Sequence, residues 1–144
     1  MKRLVSIRKA APEDAYALVP RPEDAAEIQQ YGFLTASLAL RDSLELSQHA
    51  WAATDKTGVV ALYGLAADET GVHPWLICSG AAKRHPRDLL GLGKRIVAGL
   101  RALEAPVWNY ISKNAHTNRR FVEHLGFVIE PLPDHPRFDR FYLP

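Results

Sequence analysis

The stretch from Asn114 to Ile129, NAHTNRRFVEHLGFVI, changes its hydrophobic period halfway along and decides the fold. Phe121, Val122 and Leu125 stand at i, i+1 and i+4 and therefore share one face of a helix. Gly126 favours the end of that helix, because glycine adopts the left-handed conformation that commonly follows a helix C-terminus. The three apolar residues after the glycine indicate a strand. The pattern predicts a helix that passes directly into a strand, which an ordinary helix–strand unit with a glycine cap also explains.

The composition predicts a single globular domain over residues 1–144, because a chain of 144 residues can bury one hydrophobic core. Apolar residues at 47% and charged residues at 24% are typical of soluble globular proteins. The net charge of +2 is too small to predict a nucleic-acid partner. No apolar run approaches the roughly 20 residues of a membrane-spanning helix, and the first residues lack a signal-peptide core. We therefore expect a cytoplasmic protein.

Periodicity and turn signals predict the order of the elements along the chain. Strands are predicted at 4–8, 49–54, 59–66, 75–78, 107–111, 127–129 and 140–143. Helices are predicted at 13–19, 23–30, 35–46, 89–103 and 114–125. The class is α+β, with a mixed, mostly antiparallel central sheet flanked by helices. Because a long helix connects strands 75–78 and 107–111, we expect these two strands to be adjacent and parallel.

This order of elements, together with the Leu-Gly-Phe end of the last helix, resembles the fold of the GNAT acyltransferases. In that family an Asn, a small residue and an aromatic residue precede a terminal Leu-Gly-Phe, and the helix lies beside the pantetheine arm of acyl-coenzyme A. Further segments resemble a GNAT-like family of short-tailed bacteriophages that includes internal virion proteins. These segments are Ser43-Leu44, Ser47, Ala50-Trp51, Pro74-Trp75-Leu76, His85-Pro86-Arg87 and Trp108-Asn109-Tyr110.

The resemblance implies one of two functions. One is an N-acyltransferase that uses acetyl-coenzyme A and an amine. The other is a non-catalytic assembly protein, associated with the virion, that keeps the fold and binds phage structural proteins. The arrangement of strands 75–78 and 107–111 tests both the resemblance and the choice between these two functions. Strands in different sheets would argue against the resemblance, and an open V-shaped slot between them would favour a coenzyme site over a cleft filled by side chains.

A coenzyme site in this family needs a Gln/Arg-x-x-Gly-x-Gly/Ala loop, whose amides hold the pyrophosphate at a helix start. The nearest match runs from Asp88 to Gly93 and has a carboxylate where Gln or Arg is usual. In the alternative interpretation the helix starts at Pro86, with His85 as its cap. Gly91 and Gly93 then lie inside the helix at about 1 kcal/mol each relative to Ala, which favours close packing or close approach of a ligand. The resemblance implies coenzyme contacts at Cys78, Ser79, Arg84, Arg87, Gly91, Gly93, Asn114 and Asn118.

The catalytic positions of the family are not matched. Many GNAT enzymes resemble one another in using a Glu on the fourth strand and a Tyr four residues before the Gly of Leu-Gly-Phe. Strand 75–78 has no carboxylate and Val122 stands at the Tyr position, so we expect slow turnover. The available substitutes are His73, Ser79 and Tyr110. The spacing of the histidines predicts no metal site.

Two polar residues lie at positions where the pattern predicts apolar ones, and they are further candidates for the functional site. Asn118 falls on the buried stripe of its helix, and Asn109 lies within an apolar strand. Each is either a core amide that satisfies backbone groups or an amide that contacts a ligand at the split between the two central strands. Asn114 is predicted to cap the helix that follows it. Cys78 follows two apolar residues and is predicted to be a small core residue rather than a nucleophile.

Overall fold

A computed structural model describes residues 5–33 and 35–144. Its strands are β1 (Ser6–Lys9), β2 (Ser47–Asp55), β3 (Gly58–Asp68), β4 (Gly71–Cys78), β5 (Trp108–Ser112), β6 (Val128–Glu130) and β7 (Phe138–Tyr142). Its α-helices are α1 (Asp14–Ala17), α2 (Pro22–Gln30), α3 (Ala36–Leu46), α4 (Pro86–Arg101) and α5 (His116–His124), with a 3-10 helix at Gly80–Arg84. The first residue of the strand predicted at 4–8, Leu4, lies outside the described residues.

The strands form two hydrogen-bonded groups, both antiparallel. β1 to β4 follow one another in sequence order, and β5, β7 and β6 form the second group with β7 in the centre. The predicted α+β class, with mostly antiparallel pairing and flanking helices, is confirmed. β4 begins at Gly71, earlier than predicted. The proline at position 74 interrupts the strand pattern in the sequence, but a proline is tolerated in a strand at the edge of a sheet.

The two groups meet where β4 and β5 begin. Val72 and Val107 form a parallel bridge, and the Val72 amide donates to the Pro106 carbonyl at 2.8 Å. Beyond this point the strands belong to different sheets, so the prediction that 75–78 and 107–111 are sheet neighbours is wrong. Because alternate residues of a strand point the same way, Pro74 occupies the next position that faces β5, and it has no amide hydrogen to donate. The strands therefore start side by side and parallel and then separate into a V-shaped slot.

Side chains hold the two strands together at the apex of the slot. The Asn109 Nδ2 atom donates to the Pro74 carbonyl at 2.9 Å, and its Oδ1 atom accepts from the Tyr110 amide at 2.8 Å. The His73 Nδ1 atom lies 2.9 Å from the Trp108 carbonyl oxygen. Asn109 therefore satisfies backbone groups, as one interpretation of the sequence predicts, and it does so at the split itself.

Helices cover both faces of the β1–β4 group. On one face Tyr63 and Leu76 belong to a core cluster that includes Leu92 of α4. On the other face Leu62 packs in a cluster with Leu40 of α3 and with residues of α1. The second half of α4 and the helix α5 pack with β5 to β7 in a third cluster. The slot between β4 and β5 therefore has helices above and below it.

Substitution of Gly71 tests the junction between the two strand groups. A Cβ atom at Gly71 would lie 2.3 Å from the Pro106 carbonyl oxygen, and φ is 139°. We expect Gly71→Ala to lower the free energy of unfolding by at least about 3 kcal/mol. Gly58→Ala is the matched control, because Gly58 has φ of 128° and open space around it, so that only about 1–2 kcal/mol is lost. Urea unfolding measures both, and equal losses would show that the close approach at Pro106 contributes nothing.

Candidate functional site

The separation of β4 from β5 opens a cavity of about 480 Å³, within the usual size range of small-molecule sites. Its walls come from α2 and α3 on one face of the sheet and from α4 and α5 on the other. The wall is mostly apolar and includes Tyr31, Phe33, Trp51, Tyr63, Trp75 and Tyr110. Within residues 5–33 and 35–144 no Lys or Arg lines it, and the carboxylates in its wall are Glu27 and the exposed Asp42. An apolar ligand with a basic group suits such a wall.

Along the edge of β4 that faces the slot, the backbone of Cys78 is hydrogen-bonded to another segment, whereas Leu76 lines the cavity. The alternation that turns Val72 towards β5 also turns the backbone groups of Leu76 and Cys78 into the slot. The Cys78 amide donates to Asp24 Oδ2 at 2.7 Å, and the Cys78 carbonyl accepts from the Arg21 amide at 2.9 Å. The first turn of α2 therefore closes the slot at Cys78, whereas Leu76 remains in the cavity wall.

A buried carboxylate organises this closed end. Asp24 is 1% exposed, and its other oxygen accepts from Asn118 Nδ2 at 2.8 Å. Arg21 donates from Nε to Asp24 at 3.2 Å and from Nη2 to Asn118 Oδ1. Asn118 therefore uses side chains of α2, not backbone groups, as partners on the half-buried face of α5, and it also lines the cavity.

The start of α5 is capped from another element. Glu23 Oε1 accepts from the amides of Thr117 at 3.0 Å and of Asn118 at 3.3 Å. Ala115 occupies the N-cap position and makes no side-chain cap bond, and Asn114 is exposed. The prediction that Asn114 caps this helix is wrong, because the helix begins two residues later and an acidic residue of α2 supplies the acceptor.

Glu27 is a functional candidate that the sequence analysis missed. Burial raises the pKa of Glu27 to about 7, and the nearby carboxylates of Asp24 and Glu23 contribute in the same direction. Hydrogen bonding from the Ser112 amide and from Asn118 opposes this rise in the pKa only in part. The sequence does contain a pattern that indicates Glu27. Asp24, Glu27 and Tyr31 fall on one face of a helix, and two of these three residues are carboxylates.

The predicted catalytic substitutes occupy three different settings. His73 lines the cavity, but its Nε2 atom lies 2.9 Å from Asp68 Oδ1 while its Nδ1 atom contacts the Trp108 carbonyl. Ser79 is buried, and its hydroxyl donates to the Val60 carbonyl at 3.0 Å. Tyr110 lines the cavity and is 39% exposed. The structure thus brings His73 and Tyr110 to the cavity, and the catalytic role of each stays a prediction.

The predicted coenzyme contacts on α4 lie at its start. The helix begins at Pro86 with His85 at the N-cap position, which confirms the alternative interpretation of the glycine segment. The His85 ring, however, contacts Asp55 Oδ2 at 2.9 Å and makes no cap bond. Gly91 lies inside the helix with open space at its Cβ position. A Cβ atom at Gly93 would lie 2.9 Å from Leu125 Cδ1, so Gly93 permits close packing against α5.

The remaining predicted contacts flank the slot. Arg84 Nη2 donates to Thr57 Oγ1 at 2.9 Å and lies 3.3 Å from Asp55 Oδ2, whereas Arg87 is exposed. Cys78 is buried, and burial raises the pKa of its thiol to about 12, which confirms a core residue and disfavours a nucleophile. Asn118 and Gly93 line the cavity. Coenzyme contact at any of these positions stays a prediction.

Solved structures match the chain along nearly its whole length. Ard1 from Thermoplasma volcanium matches with a TM-score of 0.68 and 16% identity over 99% of both chains. A GCN5-related N-acetyltransferase from Kribbella flavida gives a TM-score of 0.67 and 18% identity over 98% of both chains. PaiA N-acetyltransferase from Thermoplasma acidophilum, in complex with coenzyme A, gives 0.63 and 15% over 97% of this chain and 99% of that chain. No model of a known protein family matches the sequence, nor does any curated protein.

These similarities show that the chain has the GNAT fold. The expectation that strands in different sheets would argue against this fold is therefore wrong, because β4 and β5 start as parallel neighbours at Val72 and Val107 and only then separate. Identities this low establish the fold and leave the activity to be argued from the site. Within the part of the chain that the structure describes, no group of three or more His, Cys, Asp or Glu residues is placed to hold a metal ion. No helix among those residues is long and apolar enough to cross a membrane.

The raised pKa of Glu27 predicts a pH-dependent effect on stability. Because the pKa of Glu27 is about 7 in the folded state and 4.5 for an ordinary glutamate, the folded state binds more protons, and stability is lost as pH rises between these values. Relative to the wild type, Glu27→Gln should gain about 1–3 kcal/mol of unfolding free energy between pH 5 and pH 8. Urea unfolding at both pH values measures the gain. Gln29→Ala, on the exposed side of α2, is the control, and a pH-independent difference for Glu27→Gln would contradict the raised pKa.

Proposed function

We propose that the protein is an N-acyltransferase that uses an acyl-coenzyme A donor, such as acetyl-coenzyme A, and an amine acceptor. The observation that carries the proposal is the opening of the sheet between β4 and β5 into a cavity of about 480 Å³ within a GNAT fold. A cavity that reaches both faces of the sheet lets a thioester approach from one side and an amine from the other.

The edge of β4 supports binding of the pantetheine arm. That arm is an extended chain with peptide-like amides, and an unpaired strand edge binds such chains by adding them as a further strand. The Leu76 backbone groups face the slot, and the residues of α4 and α5 around it, such as Leu92 and Val122, supply apolar contacts. These features suit the thioester end of the donor.

The start of α4 supports binding of the phosphates. The first-turn amides of a helix and its dipole favour anions, and Lys83, Arg84 and Arg87 lie beside this turn. The glycine segment contributes less than in other GNAT proteins, because Gly91 lies within the helix, where its amide belongs to the helical hydrogen-bond ladder. Phosphate binding then depends mainly on the basic side chains, which predicts weak affinity.

A second candidate is a GNAT-fold protein without catalytic activity, for which the phage assembly proteins are the example. The contacts of Asp24 with Cys78 and Asn118 favour it, because they fill one end of the slot with side chains. The similar structures named above lend no support to a phage origin. An exposed surface would then carry the recognition of a structural partner.

Coenzyme binding tests the role of the basic residues at the start of α4. We expect coenzyme A to bind weakly to the wild type and at least about tenfold more weakly to the Arg84→Ala, Arg87→Ala double variant, because charged hydrogen bonds contribute about 1.5–3 kcal/mol each. Lys94→Ala with Arg95→Ala is the matched control, since it removes the same charge from exposed positions further along α4. Calorimetric titration gives the affinities, and equal binding by both double variants would remove Arg84 and Arg87 from the site.

Turnover tests the two candidates against each other. With Val122 at the usual Tyr position and no carboxylate on β4, we expect slow thiol release from acetyl-coenzyme A with generic amines such as free lysine. Val122→Tyr places a hydroxyl in the cavity wall and should raise release about 10-fold to 100-fold, whereas Val122→Phe adds the ring alone and should not. Rapid release by the wild type would contradict the account of the missing acid. No release by any variant would favour the non-catalytic candidate.

A further inference from the structure

The charges of the cavity wall restrict what it can hold. Glu27 is half-buried on the inward stripe of α2, and Asp42 is exposed on α3. Since no Lys or Arg of the described chain lines the wall, Glu27 meets no basic side chain there. A carboxylate in apolar surroundings without a cation favours a ligand that brings one positive charge.

The remainder of the wall favours an apolar body on that ligand. Tyr31 and Tyr110 line the cavity and also a shallow hollow at its side, where Phe138 packs 4.5 Å from the Tyr31 ring. Trp75 and Leu40 line the same cavity and add to its apolar surface. A second ammonium group buried among these rings would lose its hydration without gaining a partner, because the other carboxylate of the wall, Asp42, is exposed on α3.

We propose that the acyl acceptor is a primary amine on an apolar, otherwise uncharged body, and that Glu27 is the catalytic base that takes the proton from its nitrogen. The inference rests on the proposed N-acyltransferase function and adds to it the acceptor class and the missing base. Glu27 stands on α2 and not on the fourth strand, where many GNAT enzymes carry this carboxylate.

The proton transfers follow from this placement. The acceptor binds as an ammonium ion against the Glu27 carboxylate, which takes one proton and releases it to solvent. The nitrogen lone pair then attacks the thioester carbonyl carbon and forms the C–N bond, while Glu27 takes the second proton. The C–S bond breaks, its electron pair leaves on the coenzyme sulfur, and the thiolate is protonated by water. The protonated Glu27 gives its second proton to the hydroxide left by that water, which restores the carboxylate, so the products are the amide, the free thiol and one proton released to solvent.

The surroundings of Glu27 suit a base that works near neutral pH. Asp24 and Glu23, on the same helix, and burial hold the pKa of Glu27 at about 7. The Ser112 amide of β5 and Asn118 of α5 partly oppose this rise. Tyr31, which directly follows α2, and Tyr110 of β5 also lie in this group of interacting side chains. A base with a pKa near the working pH combines a large deprotonated fraction with useful basicity.

Steady-state kinetics with 2-phenylethylamine and spermidine tests the proposal, alongside calorimetric binding of acetyl-coenzyme A. We expect kcat/KM for 2-phenylethylamine to exceed that for spermidine at least about tenfold. Glu27→Gln should lower kcat for 2-phenylethylamine about 100-fold or more and abolish the fall in rate below pH 7, while acetyl-coenzyme A binds within twofold of the wild type. Glu27→Asp should restore part of kcat, and Gln29→Ala should leave it unchanged.

Each other outcome overturns a defined part of the inference. Equal rates and pH profiles for wild type and Glu27→Gln, with transfer observed, remove Glu27 as the base. A preference for spermidine refutes the acceptor class and leaves the N-acyltransferase function standing. Failure of acetyl-coenzyme A to bind the wild type refutes the proposed function and this inference together. The melting temperature of each variant shows whether a lower rate comes from removal of the catalytic base or from unfolding of the protein.

Discussion

The missing amide hydrogen of Pro74 is the constraint on which the rest of this structure depends. β4 and β5 begin as parallel neighbours at Val72 and Val107, and the ladder stops at the next position that faces β5. Asn109 satisfies the Pro74 carbonyl at this point by donating to it from its side chain. Since the strands diverge from this point, the sheet opens instead of continuing, and the backbone of Leu76 faces a cavity.

The second wall of the slot is α2, which uses its carboxylates in two ways. Asp24 and Glu23 accept hydrogen bonds from backbone amides of β4 and α5, and thereby fix the helix across the end of the slot that it closes at Cys78. A buried carboxylate without partners would cost several kcal/mol, so the contacts of Asp24 with Cys78 and Asn118 are necessary for this arrangement. Glu27, one turn further on, lies in the cavity wall among apolar groups, and the polar partners near it offset the effect of burial only in part.

The start of α4 has one feature that favours anion binding and another that favours packing against α5. A helix that begins at Pro86 keeps its first-turn amides and dipole for an anion, and basic residues stand beside them. The same early start places Gly91 and Gly93 in helical turns, where Gly93 serves packing against Leu125. Gly93 thus permits close contact between α4 and α5, which stabilises the wall of the cavity.

The sequence by itself determined the α+β class, the order of the elements, the helix–strand passage at Gly126 and the burial of Cys78, because these depend on local period and turn chemistry. It also offered both interpretations of the glycine segment. Only the tertiary structure decided between them, because the packing partner of Gly93 is on α5. The divergence of the central strands, the capping of α5 by Glu23 and the position of Glu27 were likewise settled by contacts between distant segments, and such contacts leave no periodic signal in the chain.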